Sequence, residues 1–324
     1  MARARGGVTQ GDRGMSRAFV FPGQGAQTIG MGRALAEAYP AARAVFDEVD
    51  EALGEKLSAL IWEGSADDLT LTANAQPALM ATSMAAVRAL EAEGFAVETA
   101  AFVAGHSLGE YSALAAARAI SVADTARLLR LRGLAMQAAV PVGQGAMAAI
   151  LGLDLAAVTA LAAEAAEGQV CQAANDNDPA QVVISGDAAA VQRAVDMARG
   201  HGAKRALLLP VSAPFHCALM APAAEAMTVA LDNVAIVTPV VPVVSNVTAA
   251  PVSDPALIRS LLVQQITGAV RWRESVAAMA AAGVGTFWEI GAGKVLSGMI
   301  RRILRDAEVA SVATPEDVAA LRGN

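Results

Sequence analysis

Short apolar runs alternate along this chain with longer stretches in which apolar residues recur every three or four positions. The apolar runs at residues 17 to 21, 100 to 104 and 284 to 290 have the length of buried strands, and each enters a glycine-rich turn. The periodic stretches predict amphipathic helices, for example over residues 32 to 53 and 76 to 94. This alternation predicts an α/β fold.

Residues 145 to 209 have a pattern of their own, in the order strand, helix, strand, strand, helix, strand. A polar segment at residues 175 to 179 is predicted to be the turn between the two middle strands. This order is typical of the ferredoxin-like unit, so we predict a small ferredoxin-like subdomain inserted into a large α/β catalytic domain. The predicted boundaries are a disordered tail at 1–16, the large domain at 17–140 and 212–324, and the subdomain at 141–211.

The composition indicates a globular protein of a reducing compartment. Of the 324 residues, 55% are hydrophobic and 17% are charged. No apolar run reaches the roughly 18 residues that a membrane span needs. A net charge of −7 argues against nucleic acid as a partner. The 2 cysteines are too few for a disulfide framework, and the 3 histidines lack metal-ligand spacing. We therefore expect a cytoplasmic protein without a metal site, a nucleic-acid partner or a membrane span.

A Gly-x-Ser-x-Gly sequence follows the predicted strand at residues 100 to 104, with Ser107 between Gly105 and Gly109. In a sharp strand-to-helix turn, a serine hydroxyl stands clear of its neighbours at the positive end of the next helix and can act as a nucleophile. The two glycines suit a helix that packs back closely on its strand. The motif predicts an α/β-hydrolase-like elbow in the large domain. The alternative is a glycine-rich turn with an incidental serine.

Other residues are candidates for the rest of an active site. His216 follows the return of the chain from the subdomain. A lone histidine there is more often structural, but in a chain with an elbow serine it is the leading candidate for a general base. The glycine-rich turn at residues 22 to 27 can present backbone N–H groups to an anion or an oxyanion. Three arginines, Arg127, Arg130 and Arg132, share one predicted helix, and their spacing selects none of them.

An ordered set of motifs extends this pattern over residues 17 to 313. Its members are Phe-Pro-Gly-Gln-Gly-Ala-Gln at 21–27, Gln-Pro-Ala at 76–78, Gly-His-Ser-Leu-Gly-Glu-Tyr at 105–111, Arg-Gly-x-x-Met-Gln at 132–137, Pro-Val-Ser-Ala-Pro-Phe-His-Cys at 210–217 and Gly-Ala-Gly-Lys-Val-Leu at 291–296. Each motif alone is weak evidence, but together they are highly specific. The chain resembles the malonyl-CoA:acyl carrier protein transacylase family.

The resemblance implies a two-step transfer of malonyl groups for fatty acid synthesis, with malonyl-CoA and acyl carrier protein as partners and without a cofactor. Ser107 would attack the malonyl thioester, and the phosphopantetheine thiol of the carrier would then take the malonyl group. His216 would serve as general base and general acid in both steps. By similarity, the backbone N–H groups of Gln24 and Leu108 form the oxyanion hole. We expect the enzyme to be a monomer.

The resemblance also assigns residues that bind the substrate or orient other residues. Arg132 would clamp the free carboxylate of the malonyl group, a planar match that lysine cannot reproduce. The backbone carbonyl of Gln265 would orient His216 in place of a triad aspartate. Gln76 and Phe215 would line the substrate pocket, and Phe215 matches a pattern associated with malonyl rather than methylmalonyl groups. The basic residues expected to dock the acidic carrier protein are Lys204, Arg205 and Arg302.

Two other functions are compatible with the sequence. A serine hydrolase of α/β type shares the elbow and the order of serine before histidine, but it predicts an acidic triad residue between them and no need for Arg132. A catalytically silent acyl-CoA-binding subunit would have no chemical need for Ser107, His216 and Arg132 together. Within the transferase interpretation, the carrier can belong to fatty acid or polyketide synthesis, and a chain without fused synthase modules favours fatty acid synthesis.

Overall fold

The computed structural model describes residues 16–323, which form two β-sheets and the helices that pack on them. In chain order the strands are β1 (Ser16–Phe21), β2 (Phe102–Gly105), β3 (Gly145–Leu151), β4 (Cys171–Asp178), β5 (Gln181–Asp187), β6 (Arg205–Leu208), β7 (Val243–Val244), β8 (Pro251–Val252), β9 (Val284–Ile290) and β10 (Glu308–Val312). The chain is therefore a mixed α/β protein.

The helices alternate with these strands and vary widely in length. They are α1 (Arg33–Ala38), α2 (Pro40–Leu53), α3 (Leu57–Glu63), α4 (Ala66–Thr70), α5 (Thr72–Ala92), α6 (Leu108–Ala116), α7 (Val122–Ala138), α8 (Leu155–Ala166), α9 (Ala188–Ala198), α10 (Ala221–Asp232), α11 (Pro255–Thr267), α12 (Trp272–Ala281), α13 (Val295–Ile303) and α14 (Pro315–Ala320). Between residues 16 and 323, none of them is both long and apolar enough to cross a membrane.

The large sheet has six strands in the order β10-β9-β1-β2-β7-β8. Its neighbours are parallel except β8, which pairs antiparallel with β7. Along β1, Phe19 and Phe21 belong to one apolar cluster while Ala18 and Val20 belong to another, because successive side chains point to opposite faces. Both faces of the sheet are thus covered, and polar groups concentrate where the strands end.

The small sheet has four antiparallel strands in the order β4-β5-β3-β6. Helices α8 and α9 cover one face, where Ile150 and Val182 lie in a separate apolar cluster. The opposite face carries Met147 and Val183, which pack near Phe215. This second face forms one wall of the cavity described below.

Strand β4 connects the small sheet to α12 and α13, which pack on the large sheet. The N–H of Asp176 donates to the carbonyl of Val270 at 2.9 Å, and the Asp176 carboxylate pairs with Arg273 at 2.8 Å. Asp178 pairs with Arg302 of α13 at 2.7 Å. Both carboxylates are only 2% exposed, so each needs its cationic partner. These contacts hold the two walls of the cavity at a set distance.

The structure differs from the sequence-based predictions in several segments. The helix predicted over residues 32 to 53 is broken at Tyr39, because the residue before Pro40 takes an extended conformation with φ −126° and ψ 113°. The turn predicted at residues 175 to 179 is wrong, since this polar segment largely continues β4 through two register shifts. Of the predicted tail at residues 1–16, Ser16 begins β1 and the others lie outside the described residues. The elements that were not predicted are α3, α4, α12, α14, β8 and β10.

Candidate active site

The carboxyl ends of β1, β2 and β7 lie side by side and bring three polar segments together. Phe21, the last residue of β1, is in register with Gly105, the last residue of β2. The glycine-rich turn after β1 is therefore a direct neighbour of the Gly-x-Ser-x-Gly turn. Asn246 follows β7 on the other side. In open α/β sheets this edge is the usual place for a binding site.

Ser107 occupies a strained turn between β2 and α6. Its φ of 53° and ψ of −110° are outside the regions that non-glycine residues favour. The two glycines let the helix approach the strand, because a Cβ atom on Gly105 would lie 1.9 Å from the Gly109 carbonyl group. A Cβ on Gly109 would lie 2.3 Å from the carbonyl oxygen of Phe21. The hydroxyl group of Ser107 is thereby held at the start of α6, as a nucleophile elbow requires.

His216 and the backbone of Gln265 complete a hydrogen-bonded chain from the serine. Nδ1 of His216 donates to the carbonyl oxygen of Gln265 at 2.8 Å. Nε2 is then free to accept from the Ser107 hydroxyl, also at 2.8 Å. Burial, followed by the positive charge of Arg132, lowers the pKa of His216 to about 3. The imidazole is therefore neutral near pH 7 and can take the proton of the serine.

Arg132 is a buried guanidinium beside the serine, with only 1% of its surface exposed. Its Nη1 donates to Oε1 of Gln76 at 2.7 Å. Its Nη2 donates to Oε1 of Gln265 at 2.9 Å and lies 3.1 Å from Oγ of Ser107. Helix α7 can place it there because Gly133 packs against α5, where a Cβ would lie 2.6 Å from Cα of Ala73. The site thus holds one fixed cation within reach of the nucleophile.

Pro77 and Arg130 explain how Gln76 is placed inside α5. A proline within a helix cannot donate to the carbonyl four residues earlier, which here belongs to Ala73. Nη1 of Arg130 supplies that hydrogen bond at 2.6 Å. Two arginines on α7 therefore have different roles. Arg130 donates to the free backbone carbonyl of α5, and Arg132 points into the site. The spacing of the arginines in the sequence could not distinguish these roles.

A polar network lies beneath the serine and was not foreseen from the sequence. Oδ1 of Asn246 accepts from the N–H of Ser107 at 2.8 Å, and its Nδ2 donates to the carbonyl of Gly105 at 2.7 Å. Oε2 of Glu110 accepts from the N–H of Asn246 at 3.1 Å and from Nε2 of Gln265 at 2.7 Å. Burial raises the pKa of Glu110 to about 7, although these hydrogen bonds oppose the shift. The one available signal was the polar pair Ser-Asn directly after an apolar strand.

His106, the residue before the serine, connects the elbow to the small sheet. Its Nε2 donates to Oδ1 of Asn177 at 2.9 Å. Burial lowers the pKa of His106, so the imidazole is neutral like that of His216. Asn177 belongs to the segment that the sequence predicted as a turn. Its position in β4 is what brings it to the site.

A cavity of about 380 Å³ lies between the two sheets and opens over the serine. Gln24, Gln76, Ser107, Leu108, Arg132 and His216 contribute polar or backbone groups to it, and its apolar walls include Met136, Met147, Val183, Leu209, Phe215 and Met299. As the first residue of α6, Leu108 has a backbone N–H without an acceptor inside the helix. The structure thus brings most of the residues selected from the sequence to one cavity. In the part of the chain that the structure describes, no cluster of acidic, histidine or cysteine side chains could hold a metal ion.

The three basic residues expected to dock a carrier protein are not among the residues that line this cavity. Arg302 is half exposed, and its Nε is 2.7 Å from the buried carboxylate of Asp178. Arg205 begins β6, about 13 Å along the strand from the cavity-lining Leu209, and Lys204 directly precedes it. Their placement gives Arg302 a structural task that the sequence did not suggest.

Comparisons with known proteins assign this arrangement to one family. Residues 18–319 match the family described as acyl transferase domain. Over 302 residues the chain is 50% identical to the malonyl CoA-acyl carrier protein transacylase of Bacillus subtilis (strain 168), and the match covers 93% of this chain and 94% of that protein. The likeness therefore includes both sheets and the whole cavity.

Solved structures agree with this assignment. The acyl-carrier-protein-S-malonyltransferase of Bartonella henselae superposes with a TM-score of 0.93 at 60% identity, covering 95% of this chain and 99% of that chain. A malonyl-transacylase solved in complex with its type II PKS acyl-carrier protein superposes with a TM-score of 0.92 at 43% identity, covering 95% of this chain and 100% of that chain. Proteins of this shape thus include one that binds an acyl-carrier protein.

Proposed function

Because the chain belongs to the acyl transferase family, we propose that it transfers the malonyl group of malonyl-CoA to the phosphopantetheine thiol of acyl carrier protein. The transfer passes through a malonyl ester on Ser107 and supplies units for fatty acid synthesis. In a malonyl thioester, a single methylene separates the free carboxylate from the carbon that the serine attacks. A group that binds the carboxylate must therefore lie next to the serine. The distance of 3.1 Å between Nη2 of Arg132 and Oγ of Ser107 is the observation that carries this proposal.

In the first half-reaction the serine oxygen forms a bond to the thioester carbonyl carbon while Nε2 of His216 takes the hydroxyl proton. The negative oxygen of the tetrahedral intermediate accepts hydrogen bonds from the backbone N–H groups of Leu108 and Gln24. The C–S bond then breaks, and His216 returns the proton to the sulfur of the departing CoA. In the second half-reaction the carrier thiol attacks the ester and His216 performs the same proton transfers in the opposite order.

The orienting group on His216 separates this function from that of a serine hydrolase. The acceptor at Nδ1 is the carbonyl of Gln265, where a hydrolase triad has a carboxylate. A buried cation beside the nucleophile has no role in the hydrolysis of a neutral ester. Ser107 also contacts both His216 and Arg132 in the geometry of a reacting site, which argues against a silent acyl-CoA-binding subunit.

We propose the finer organisation of the chain on the same basis. The order β4-β5-β3-β6 with two helices on one face supports a ferredoxin-like subdomain over residues 141–211. The parallel strands and the elbow support an α/β-hydrolase-like large domain over residues 17–140 and 212–324. Gln76 and Phe215 are proposed to line the acyl pocket, and Lys204, Arg205 and Arg302 to contact the carrier. We propose a cytoplasmic monomer.

The function is tested by intact-mass measurement after brief mixing with malonyl-CoA. We expect a mass gain of one malonyl group on the wild type, no gain on Ser107→Ala, and discharge of the ester when acyl carrier protein is added. Acetyl-CoA at the same concentration should label the wild type far more slowly. An ester that disappears equally fast without the carrier would identify a hydrolase, and tight binding of malonyl-CoA without a mass gain would identify a silent binder.

A further inference from the structure

Glu110 is a buried carboxylate at the active site that the two half-reactions do not use. It is 2% exposed and stands three residues after Ser107 in the first turn of α6. A glutamate in this position commonly closes a capping box with the serine before it. Here the serine side chain makes no cap bond, and its N–H donates instead to Asn246 at 2.8 Å. The carboxylate is therefore available for another contact.

That contact is with the side-chain amide of Gln265. Nε2 of Gln265 donates to Oε2 of Glu110 at 2.7 Å, which is shorter than its contacts with the carbonyl of Ser107 at 3.0 Å and with Oδ1 of Asn246 at 3.2 Å. All three neighbours are acceptors. If the amide turned over, its oxygen would face these acceptors and its NH₂ group would face the guanidinium of Arg132, a donor. Glu110 makes the shortest of these three contacts, and it is therefore the main group that fixes which end of the amide meets the arginine.

We propose that Glu110 is a positioning residue for acyl-group selectivity. It holds the amide of Gln265 so that Oε1 accepts from Nη2 of Arg132, and this keeps the guanidinium where it binds the malonyl carboxylate. The inference rests on the proposed function. It adds a residue that does not touch the substrate and acts on Arg132 through Gln265.

Loss of the contact between Glu110 and Gln265 should weaken recognition of the malonyl carboxylate and leave the catalytic serine and histidine unaffected. Gln265 contributes two groups to the site, and only its side chain contacts Glu110. Its backbone carbonyl, which orients His216, lies within α11 and is fixed by that helix. When Glu110 no longer holds the amide, the arginine loses a fixed acceptor while the histidine keeps its own. Acetyl transfer, which needs no carboxylate contact, should then persist.

A pair of conservative variants separates positioning from charge. Glu110→Asp keeps the carboxylate but shortens its reach by about 1.5 Å, which takes the 2.7 Å contact beyond hydrogen-bond range. Glu110→Gln keeps the reach and offers a carbonyl oxygen to the same two N–H groups, but it removes the charge. We expect Glu110→Asp to lower the rate of malonyl labelling by about tenfold or more, with acetyl labelling within about threefold of the wild type. Glu110→Gln should retain most of the wild-type preference for malonyl.

Gln265→Leu tests the path from Glu110 to Arg132. This variant keeps the backbone carbonyl and removes the amide. If Glu110 acts through Gln265, the double variant Glu110→Asp/Gln265→Leu labels with malonyl no more slowly than Gln265→Leu alone. If the two effects multiply, the inference is overturned. Asp50→Asn is the matched control, because Asp50 is also a buried carboxylate but does not line the cavity. Its Oδ2 accepts a hydrogen bond from the Ser58 hydroxyl at 2.6 Å. It should leave the malonyl-to-acetyl ratio unchanged.

Intact-mass labelling with malonyl-CoA and acetyl-CoA, read for each variant, distinguishes two kinds of failure. A wild type that accepts acetyl but no malonyl groups overturns the proposed function, and the inference falls with it. A wild type that accepts malonyl, together with a Glu110→Asp variant that loses both substrates equally, leaves the function standing and overturns the inference. The inference would also be overturned if Glu110→Gln were slow in malonyl labelling while Glu110→Asp was not, because the charge of Glu110 and not its reach would then matter.

Discussion

Removing Arg132 is expected to change substrate preference more than it changes catalysis. The guanidinium is almost fully buried, and its Nη2 lies 3.1 Å from the attacking oxygen of Ser107. In Arg132→Ala, the malonyl carboxylate would enter the same buried space without a cation to pair with. Loss of one partner of a buried charged pair costs about 2–5 kcal/mol. At about 1.36 kcal/mol for each factor of ten, malonyl labelling should slow by roughly 30- to 5000-fold.

Acetyl-CoA carries no carboxylate, so its reaction loses none of that interaction. The charge of Arg132 also contributes to the low pKa of His216, and its removal allows that pKa to rise. The histidine of the variant is therefore at least as basic as in the wild type. We expect acetyl labelling within about tenfold of the wild-type rate, with the difference coming from the acceptors on Gln76 and Gln265 that lose their donor.

The assay is rapid mixing with each CoA ester followed by acid quench and intact-mass detection of the acyl-enzyme. The quantity compared is the ratio of malonyl to acetyl labelling rates, which cancels differences in the fraction of active protein. Arg132→Lys is the companion variant, and it should also be impaired because one ammonium group cannot reproduce the two-pronged contact with Gln76 and Gln265. Equal losses for malonyl and acetyl in Arg132→Ala would show that the carboxylate is bound elsewhere.

Three further perturbations follow from the structure. Gly105→Ala should slow acylation by about 10²-fold, because the new Cβ would lie 1.9 Å from the Gly109 carbonyl group and α6 must move; an unchanged rate of acyl-enzyme formation would contradict the tight turn. The pKa of His216 lies below that of an unfolded histidine, so its contribution to stability is complete above about pH 6.5 and is lost as the pH falls towards 3. Chemical denaturation should therefore show that the free energy of unfolding falls between pH 7 and pH 5 by about 2 kcal/mol more for the wild type than for His216→Asn, and equal decreases would refute the lowered pKa of His216. Arg302→Ala should lower the free energy of unfolding by about 1–2 kcal/mol because it leaves the buried Asp178 without its partner, and an unchanged urea midpoint would show that the ion pair is weak.

Local features of the sequence were sufficient where the chemistry depends on neighbouring residues. The spacing of Gly105, Ser107 and Gly109 after an apolar run predicts the elbow, because the close packing of strand and helix is decided within five residues. The apolar run at residues 284 to 290 coincides with β9, and the predicted order of strands and helices over residues 145 to 209 matches β3, α8, β4, β5, α9 and β6. The family followed from the ordered motifs, and the comparisons support it.

Tertiary structure decided everything that depends on groups far apart in the chain. Ser107 and His216 are 109 residues apart, and they meet because the end of β2 in the large sheet and the segment after β6 of the small sheet lie side by side in the fold. Asn246 follows a strand of only two residues, too short to give a clear alternating pattern, yet it holds the backbone of the nucleophile. The polar segment at residues 175 to 179 has the composition of a turn, but cross-strand hydrogen bonds and ion pairs to α12 and α13 keep most of it in β4.

The arginines on α7 show most clearly what the sequence predicts and what only the tertiary structure decides. The sequence by itself determined that a helix carries Arg127, Arg130 and Arg132, and the family motif selected Arg132. Only the fold explains the selection, because the three residues point in different directions from one helix and only Arg132 meets the serine and the two buried glutamine oxygens. Sequence periodicity fixes the direction of a side chain relative to its own helix. What lies in that direction is set by how the helix packs against the rest of the protein.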